Sequence, residues 1–157
     1  MELRSSAYRA GGKIPRRYAG DGDDISPSFR WKDAPPETKS FVLLLHDPDA
    51  AREGGFTHWI VYNIVPIIHQ IDEDTPKQAP FTAFGVQGNN DGNQLGYIGP
   101  CPTPGSHRYI TRLFSLDMEL ELGPGAGREQ VEAAMGGHIL AQATLMGKYG
   151  RKAGRKA

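Results

Sequence analysis

The chain has 157 residues, 38% of them hydrophobic, and its 18 Lys and Arg residues balance 18 Asp and Glu residues. That length supports one domain with its own core. A mean hydropathy of −0.49, with no apolar run near the about 18 residues of a membrane span, leads us to expect a soluble globule without stable membrane insertion. Balanced charge argues against a nucleic-acid partner, and the opening stretch MELRSSAYRAGG lacks the apolar segment of a secretory signal. The single cysteine, Cys101, excludes an internal disulfide and suits a reducing, cytoplasmic setting.

Twenty glycines and 12 prolines break the chain into short segments, as expected of a β-rich fold with structured loops. In chain order, residues 40–45 (SFVLLL) read as a buried strand running into the Asp47-Pro48-Asp49 turn, and residues 47–57 as a loop. Residues 58–64 (HWIVYNI), aromatic and β-branched, read as a second strand. Residues 87–106 are rich in Gly, Asn and Pro. A loop of about 20 residues in a compact domain is more in keeping with a site than with a plain connection. Residues 109–117 (YITRLFSLD) alternate, with Ile110, Arg112, Phe114 and Leu116 on one face and Tyr109, Thr111, Leu113 and Ser115 on the other. Residues 118–122 extend that strand or turn back. One helix is expected over residues 127–142, with Val131, Ala134, Met135, His138 and Ile139 on one face, although Gly136 and Gly137 weaken it by about 1 kcal/mol each relative to Ala. Residues 143–149 read as a closing strand. The domain spans residues 1–150, and residues 151–157 continue the basic run of Lys148, Arg151, Lys152, Arg155 and Lys156 as a solvated, frayed tail.

Two stretches, residues 46–63 and 96–109, combine Asp, His and Tyr with Pro and Gly in a way that a packed core does not need but a polar pocket does. The Asp47-Pro48-Asp49 turn brings two carboxylates out at a strand end, where an Asx-turn alone would also account for them. His58 is expected on the face opposite Trp59. His107 and Tyr109 share a face as i and i+2, an imidazole and a phenol about 7 Å apart, while Arg108 points the other way, toward a carboxylate partner. Gly99-Pro100 and Pro102-Thr103-Pro104-Gly105 shape the approach to His107, the glycines permitting close backbone contact with a ligand. The chain carries no phosphate-binding Gly-Lys-Ser/Thr and no Gly-x-Ser-x-Gly elbow. Cys101, set between prolines, reads as an inert, buried or half-buried thiol rather than a nucleophile. Asp47, Asp49, His58 and His107 could together hold zinc or non-haem iron, but no His-x-x-x-His spacing calls for a metal, so none is assigned.

Four ordered motifs, Asp47-Pro48-Asp49-Ala50, His58-Trp59, Gly96-Tyr97-Ile98-Gly99-Pro100-Cys101-Pro102 and Gly105-Ser106-His107-Arg108-Tyr109, resemble the phosphatidylethanolamine-binding proteins. The likeness is to the bacterial and archaeal Raf-kinase-inhibitor-like (YbhB/YbcL-type) branch. It extends to Ile14-Pro15, Tyr18, residues 21–27 and residues 145–150, nearly the whole chain. The resemblance implies a mainly β fold, with a central antiparallel sheet packed against a smaller one and few peripheral helices. It also implies a small pocket for anions such as phosphate or phospholipid head groups. Carried over by motif, the ligand-binding residues are Asp47, Asp49, His58, Gly99, Pro100, His107 and Tyr109, with no catalytic residue, metal or cofactor. Carboxylates beside an anion are repulsive unless they accept hydrogen bonds from the histidines or loop N–H groups. They would then hold the imidazoles in place and favour the charged form.

The departures are Ala51 where the family has proline, His46 where this branch often has a second Asp, Thr103 within the usual prolines and glycines, and residues 89–94. The short segment after the last strand leaves no room for the C-terminal helix of animal members, which implies a more open pocket. The family's links make a kinase or a serine protease an implied partner, and a homodimer an allowed assembly that no stretch of sequence itself supports. The leading expectation is a non-enzymatic binding protein with a small pocket for phosphate or phospholipid head groups; inhibition of a kinase or serine protease is a role that the resemblance allows and the residues themselves do not show. The alternative is a hydrolase or metal-dependent enzyme using the same Asp and His residues.

Overall fold

Every position from Ser40 to Asp47 is buried, and this apolar run forms the middle strand of the molecule. The computed structural model describes residues 1–101 and 105–151. In it, strands β1 (Glu2–Arg4) and β2 (Phe29–Lys32) precede the central strand β3 (Ser40–Asp47), which is followed by β4 (Phe56–Ile64), β5 (Gln70–Ile71) and β6 (Val86–Gln87). Strand β7 (Gly105–Leu116), helix α1 (Arg128–Met135) and strand β8 (Ile139–Arg151) complete the chain. The large sheet has the order β6-β4-β3-β7-β8 and the small one β1-β2-β5, all pairings antiparallel. The mainly β, two-sheet architecture expected from sequence is the one observed.

Alternation divides the large sheet into two apolar faces. Phe41, Leu43, Leu45, Trp59, Val61, Leu113 and Leu145 meet Leu3, Phe29, Trp31 and Ile71 of the small sheet. Trp31 stands edge-on to Phe41 at 5.4 Å. Val42, Ile60, Tyr62 and Leu116 on the other face are covered by Val131 and Met135 of α1. Each such side chain removed from water contributes roughly 1.5–3 kcal/mol. The alternation expected for residues 109–117 holds, with Tyr109, Thr111, Leu113 and Ser115 all buried.

The helix is shorter than its periodicity suggests. It stops at Met135, Gly137 takes φ +80°, and β8 starts at Ile139. His138 and Ile139 therefore leave the helical face to which their spacing assigned them. His138 pairs with Asp117 at 2.9 Å, and Ile139 pairs in register with Leu116. The cause is a competition: two consecutive glycines weaken the helix, while a strand continued to residue 139 gains ladder bonds to β7 along its length. The closing strand accordingly exceeds 143–149 at both ends. Residues 118–122 leave the sheet; Met118 accepts from Ser40 Oγ, and Leu120 is held through both backbone groups by Asn63. Thr103 and the tail after Arg151 lie outside the described residues. Among the described residues, no helix is long and apolar enough to cross a membrane.

Candidate functional site

The end of β3 delivers Asp47 beside the start of β7. Asp47 Oδ2 accepts from His107 Nδ1 at 2.7 Å, and its Oδ1 accepts from the Asp49 backbone N–H at 2.8 Å. The Asx-turn and the site are thus two uses of one carboxylate. Asp47 is nearly inaccessible and His107 partly so. Hydrogen bonding on both oxygens satisfies a group whose burial would otherwise cost several kcal/mol. Asp49 points the other way, to Arg108, accepting from Nε at 3.0 Å, Nη2 at 2.9 Å and the backbone N–H at 2.9 Å. The Arg108 hydrogen bonds hold the Asp49 carboxyl down at about 2.

His58 reaches the site through a β-bulge. Leu45 pairs with Trp59 and His46 with Thr57, so β4 spends one extra residue, His58, opposite a single step of β3. The expected alternation, with His58 opposite Trp59, is therefore broken. The imidazole turns to the side that carries Tyr109, its ring centre 5.3 Å from Tyr109 and 4.7 Å from Phe56. Trp59 packs on Phe29 and Tyr97 of the same core. Nδ1 of His58 is 2.7 Å from the Ile98 carbonyl, so it is a backbone oxygen and not a carboxylate that orients the ring. Burial lowers the His58 pKa, which corrects the expectation that this imidazole is held in its charged form.

The wall formed by residues 97–101 is buttressed by the N-terminal segment. Asp24 Oδ1 accepts from Gly99 N–H at 2.7 Å and its Oδ2 from Lys77 Nζ at 2.5 Å. Gly20 N–H donates to the Pro100 carbonyl at 2.8 Å, and Tyr97 O–H to the Tyr18 carbonyl at 2.6 Å. A Cβ on Gly99 would lie 2.5 Å from the Tyr18 oxygen, so glycine is the residue that fits. Sequence reasoning missed Asp24 as a positioning residue; its place in the motif 21–27 was the available signal.

These pieces enclose a cavity of about 310 Å³ lined by Asp47, Ala50, Ala51, Phe56, His58, Ile98, Gly99, Cys101, His107 and Tyr109. Of the seven expected ligand-binding residues, five line it. Asp49 and Pro100 do not; the first is committed to Arg108, and the second supports the wall through its carbonyl. His107 and Tyr109 stack with ring centres 6.4 Å apart, close to the strand spacing expected. Cys101 is exposed, contrary to the buried or half-buried thiol expected, because the wall is a surface loop whose packed side faces Gly20. Ala51, in place of proline, is a lining residue, whereas His46 faces the opposite side of the sheet, 3.0 Å from Thr57 Oγ1.

Two polar groups on residues lining the cavity have no hydrogen-bond partner among the described residues. Tyr109 is 1% exposed, yet its hydroxyl has no hydrogen-bond partner among the described residues. Burial, then Asp47, pushes its ionisation up, so it remains a donor. His58 is 5% exposed and its Nε2 likewise lacks a partner among the described residues. Among the described residues, no cluster of His, Cys, Asp or Glu has the grouping to hold a metal ion.

The structure is thus a two-sheet β fold with a small, mixed polar and apolar cavity at the strand ends. The chain belongs to the phosphatidylethanolamine-binding protein family, whose model matches residues 4–150. It is 45% identical over 151 residues to a UPF0098 protein of Methanothermobacter thermautotrophicus, covering 96% of this chain and 99% of that one. It is 48% identical over 154 residues to a UPF0098 protein of Aquifex aeolicus, covering 96% and 89%. Among solved structures, it resembles a phosphatidylethanolamine-binding protein homologue of Chlamydia trachomatis, with TM-score 0.88, 39% identity and 96% and 97% coverage. It also resembles YbcL of E. coli, with TM-score 0.90, 25% identity and 96% and 98% coverage.

Proposed function

We propose that the cavity binds a small anion, phosphate or a phosphorylated head group, and that the protein acts by binding rather than by catalysis. The observation that carries this reading is the pair of buried groups, Tyr109 O–H and His58, turned into a cavity whose one carboxylate already has both oxygens occupied. With Asp47 satisfied by His107 and Asp49 by Arg108, the repulsion that two free carboxylates would exert on a phosphate is reduced at its source. Tyr109 O–H supplies a donor. His58, its Nδ1–H given to the Ile98 carbonyl and its ring kept neutral by burial, offers Nε2 as an acceptor for the hydroxyl of a protonated phosphate. His107, its Nδ1–H given to Asp47, donates from Nε2 in its imidazolium form. Ala50, Ala51, Phe56 and Ile98 supply the apolar wall against which a head group's carbons would lie.

Isothermal titration with phosphate and phosphoethanolamine tests the reading. His107→Ala should weaken binding by roughly ten- to a hundredfold, the range of a hydrogen bond to a charged partner. Equal affinity in wild type and variant would overturn the assignment. The oriented Asp47–His107 pair also supports a second reading, a hydrolase in which His107 moves a proton. Turnover of phosphomonoesters that is lost in His107→Ala, or stoichiometric metal in the purified protein, would favour it. A kinase or protease partner would be read from inhibition panels with the same variants.

A further inference from the structure

We propose that Cys101 is a modification site for anionic disulfides, and that its mixed disulfide closes the cavity to other anions. The inference rests on the anion-pocket reading and adds to it a means of regulation. The thiol is the chain's only one, it is exposed, and it lines the same cavity as His58, His107 and Tyr109. The Tyr109 hydroxyl and His58 Nε2, without a partner among the described residues and both on residues more than nine-tenths buried, point to a ligand there independently of the cysteine.

The thiol is also held in place. Gly20 N–H donates to the carbonyl of Pro100, and Cys101 Cβ would sit 3.3 Å from a Cβ built on Gly20. Its base is therefore packed, while the residue is exposed and lines the cavity. A disulfide bearing carboxylates would be drawn by the same Tyr109 O–H that serves phosphate, bringing its sulfurs to Cys101. The step balances as a thiol–disulfide exchange: the Cys101 thiolate attacks one sulfur of R–S–S–R, its proton leaving to solvent. The Cys101–S–S–R bond forms, the reagent's S–S bond breaks, and RS⁻ departs. The cavity, at about 310 Å³, lies at the small end of the about 300–1,000 Å³ typical of ligand pockets. An adduct the size of a tripeptide thiol would fill it.

The test uses the full chain with oxidised glutathione as the anionic probe and 2-hydroxyethyl disulfide as the neutral one, the adduct being quantified by intact mass. Oxidised glutathione should modify Cys101, and saturating phosphate should slow that reaction several-fold while leaving the neutral probe's rate unaltered. The glutathionylated protein should bind phosphoethanolamine at least about tenfold more weakly, because a filled cavity offers no open site. Dithiothreitol should restore binding. In Cys101→Ser, affinity should be the same with and without the disulfide. Modified wild type that binds as tightly as unmodified, or a thiol that oxidised glutathione leaves untouched in the folded chain, overturns the proposal alone. If the unmodified protein binds neither phosphate nor phosphoethanolamine, the anion-pocket reading fails and this proposal falls with it.

Discussion

Two depressions of similar size open on opposite faces of the segment that joins β3 to β4. One is the cavity beside Asp47, about 310 Å³; the other, about 340 Å³, lies between Arg52, Gly54, Asp91 and the start of α1. Each has a buried histidine at its back, His58 at 5% exposure and His46 at 7%, and burial lowers the pKa of both. The difference is in what the polar atoms touch. On the α1 side, His46 lies 3.0 Å from Thr57 Oγ1 and 2.9 Å from Arg128 Nη1, Asp91 accepts from the Thr57 backbone, and Arg128 reaches Glu132 and the Gly54 carbonyl. Those groups satisfy one another. On the Asp47 side, the carboxylate is satisfied, but Tyr109 O–H and His58 Nε2 have no partner among the described residues. Polar residues in a depression are weak evidence for a site; polar atoms left without a protein partner are stronger evidence.

The largest expected effect that would sharpen this contrast is that of Asp47→Ala. It leaves His107 Nδ1 and the Asp49 N–H without their acceptor, so urea unfolding should show a loss of roughly 3 kcal/mol along with weakened phosphate binding. Gly99→Ala should cost about 1–3 kcal/mol, because its Cβ overlaps the Tyr18 carbonyl and the wall must shift. The same chemical denaturation series measures it. Tyr109→Phe should lower phosphate affinity by roughly ten- to a hundredfold, one hydrogen bond to a charged partner, with the urea midpoint almost unaltered. An unchanged affinity there would break the distinction between the two depressions.

Smaller effects come from pH and from the α1 side. The folded-state pKa values of His58 and His46 lie below the ordinary 6.5. Above that pH, both rings are neutral in the folded and unfolded chains, and their full contribution is present. As pH falls through 6.5 the unfolded chain takes up protons that the folded one does not, so stability declines by at most about 1.4 kcal/mol per pH unit for each ring. His58→Gln should reduce the drop in urea midpoint between pH 7.5 and pH 5. Arg128→Met, on the satisfied side, should leave phosphate affinity within about twofold of wild type, since the lost contacts lie on the far face of the sheet. A large loss of affinity in titration would show that the α1 side also takes part.

Much of the architecture was legible in the residues because it rests on local periodicity. The buried run 40–45 and the strand 58–64 read as continuous apolar segments because both faces of their sheet are covered, and the alternation from Tyr109 to Ser115 needs one given face toward the small sheet. The same rule placed His107 beside Tyr109 and sent Arg108 away to a carboxylate. The helix was overextended, since 3.6-residue spacing continues through Gly136-Gly137 while the chain does not. What stops it is pairing with β7, a strand whose place in the sheet no local pattern encodes.

The site divides along the same line. The sequence alone determined the supply of chemistry: Asp47 at a strand end, an imidazole and a phenol sharing one face of a strand, and a glycine–proline wall before them. Only the tertiary structure decided which of those groups line the cavity. A bulge of one residue turned His58 toward Tyr109, Asp24 reached across to hold Gly99, Asp49 was drawn out of the cavity by Arg108, and Cys101 came to rest at its mouth. Each of those outcomes depends on hydrogen bonds between segments distant in the chain. Such bonds form only after the sheet has set their geometry, whereas the faces of the strands follow from the backbone's period of two.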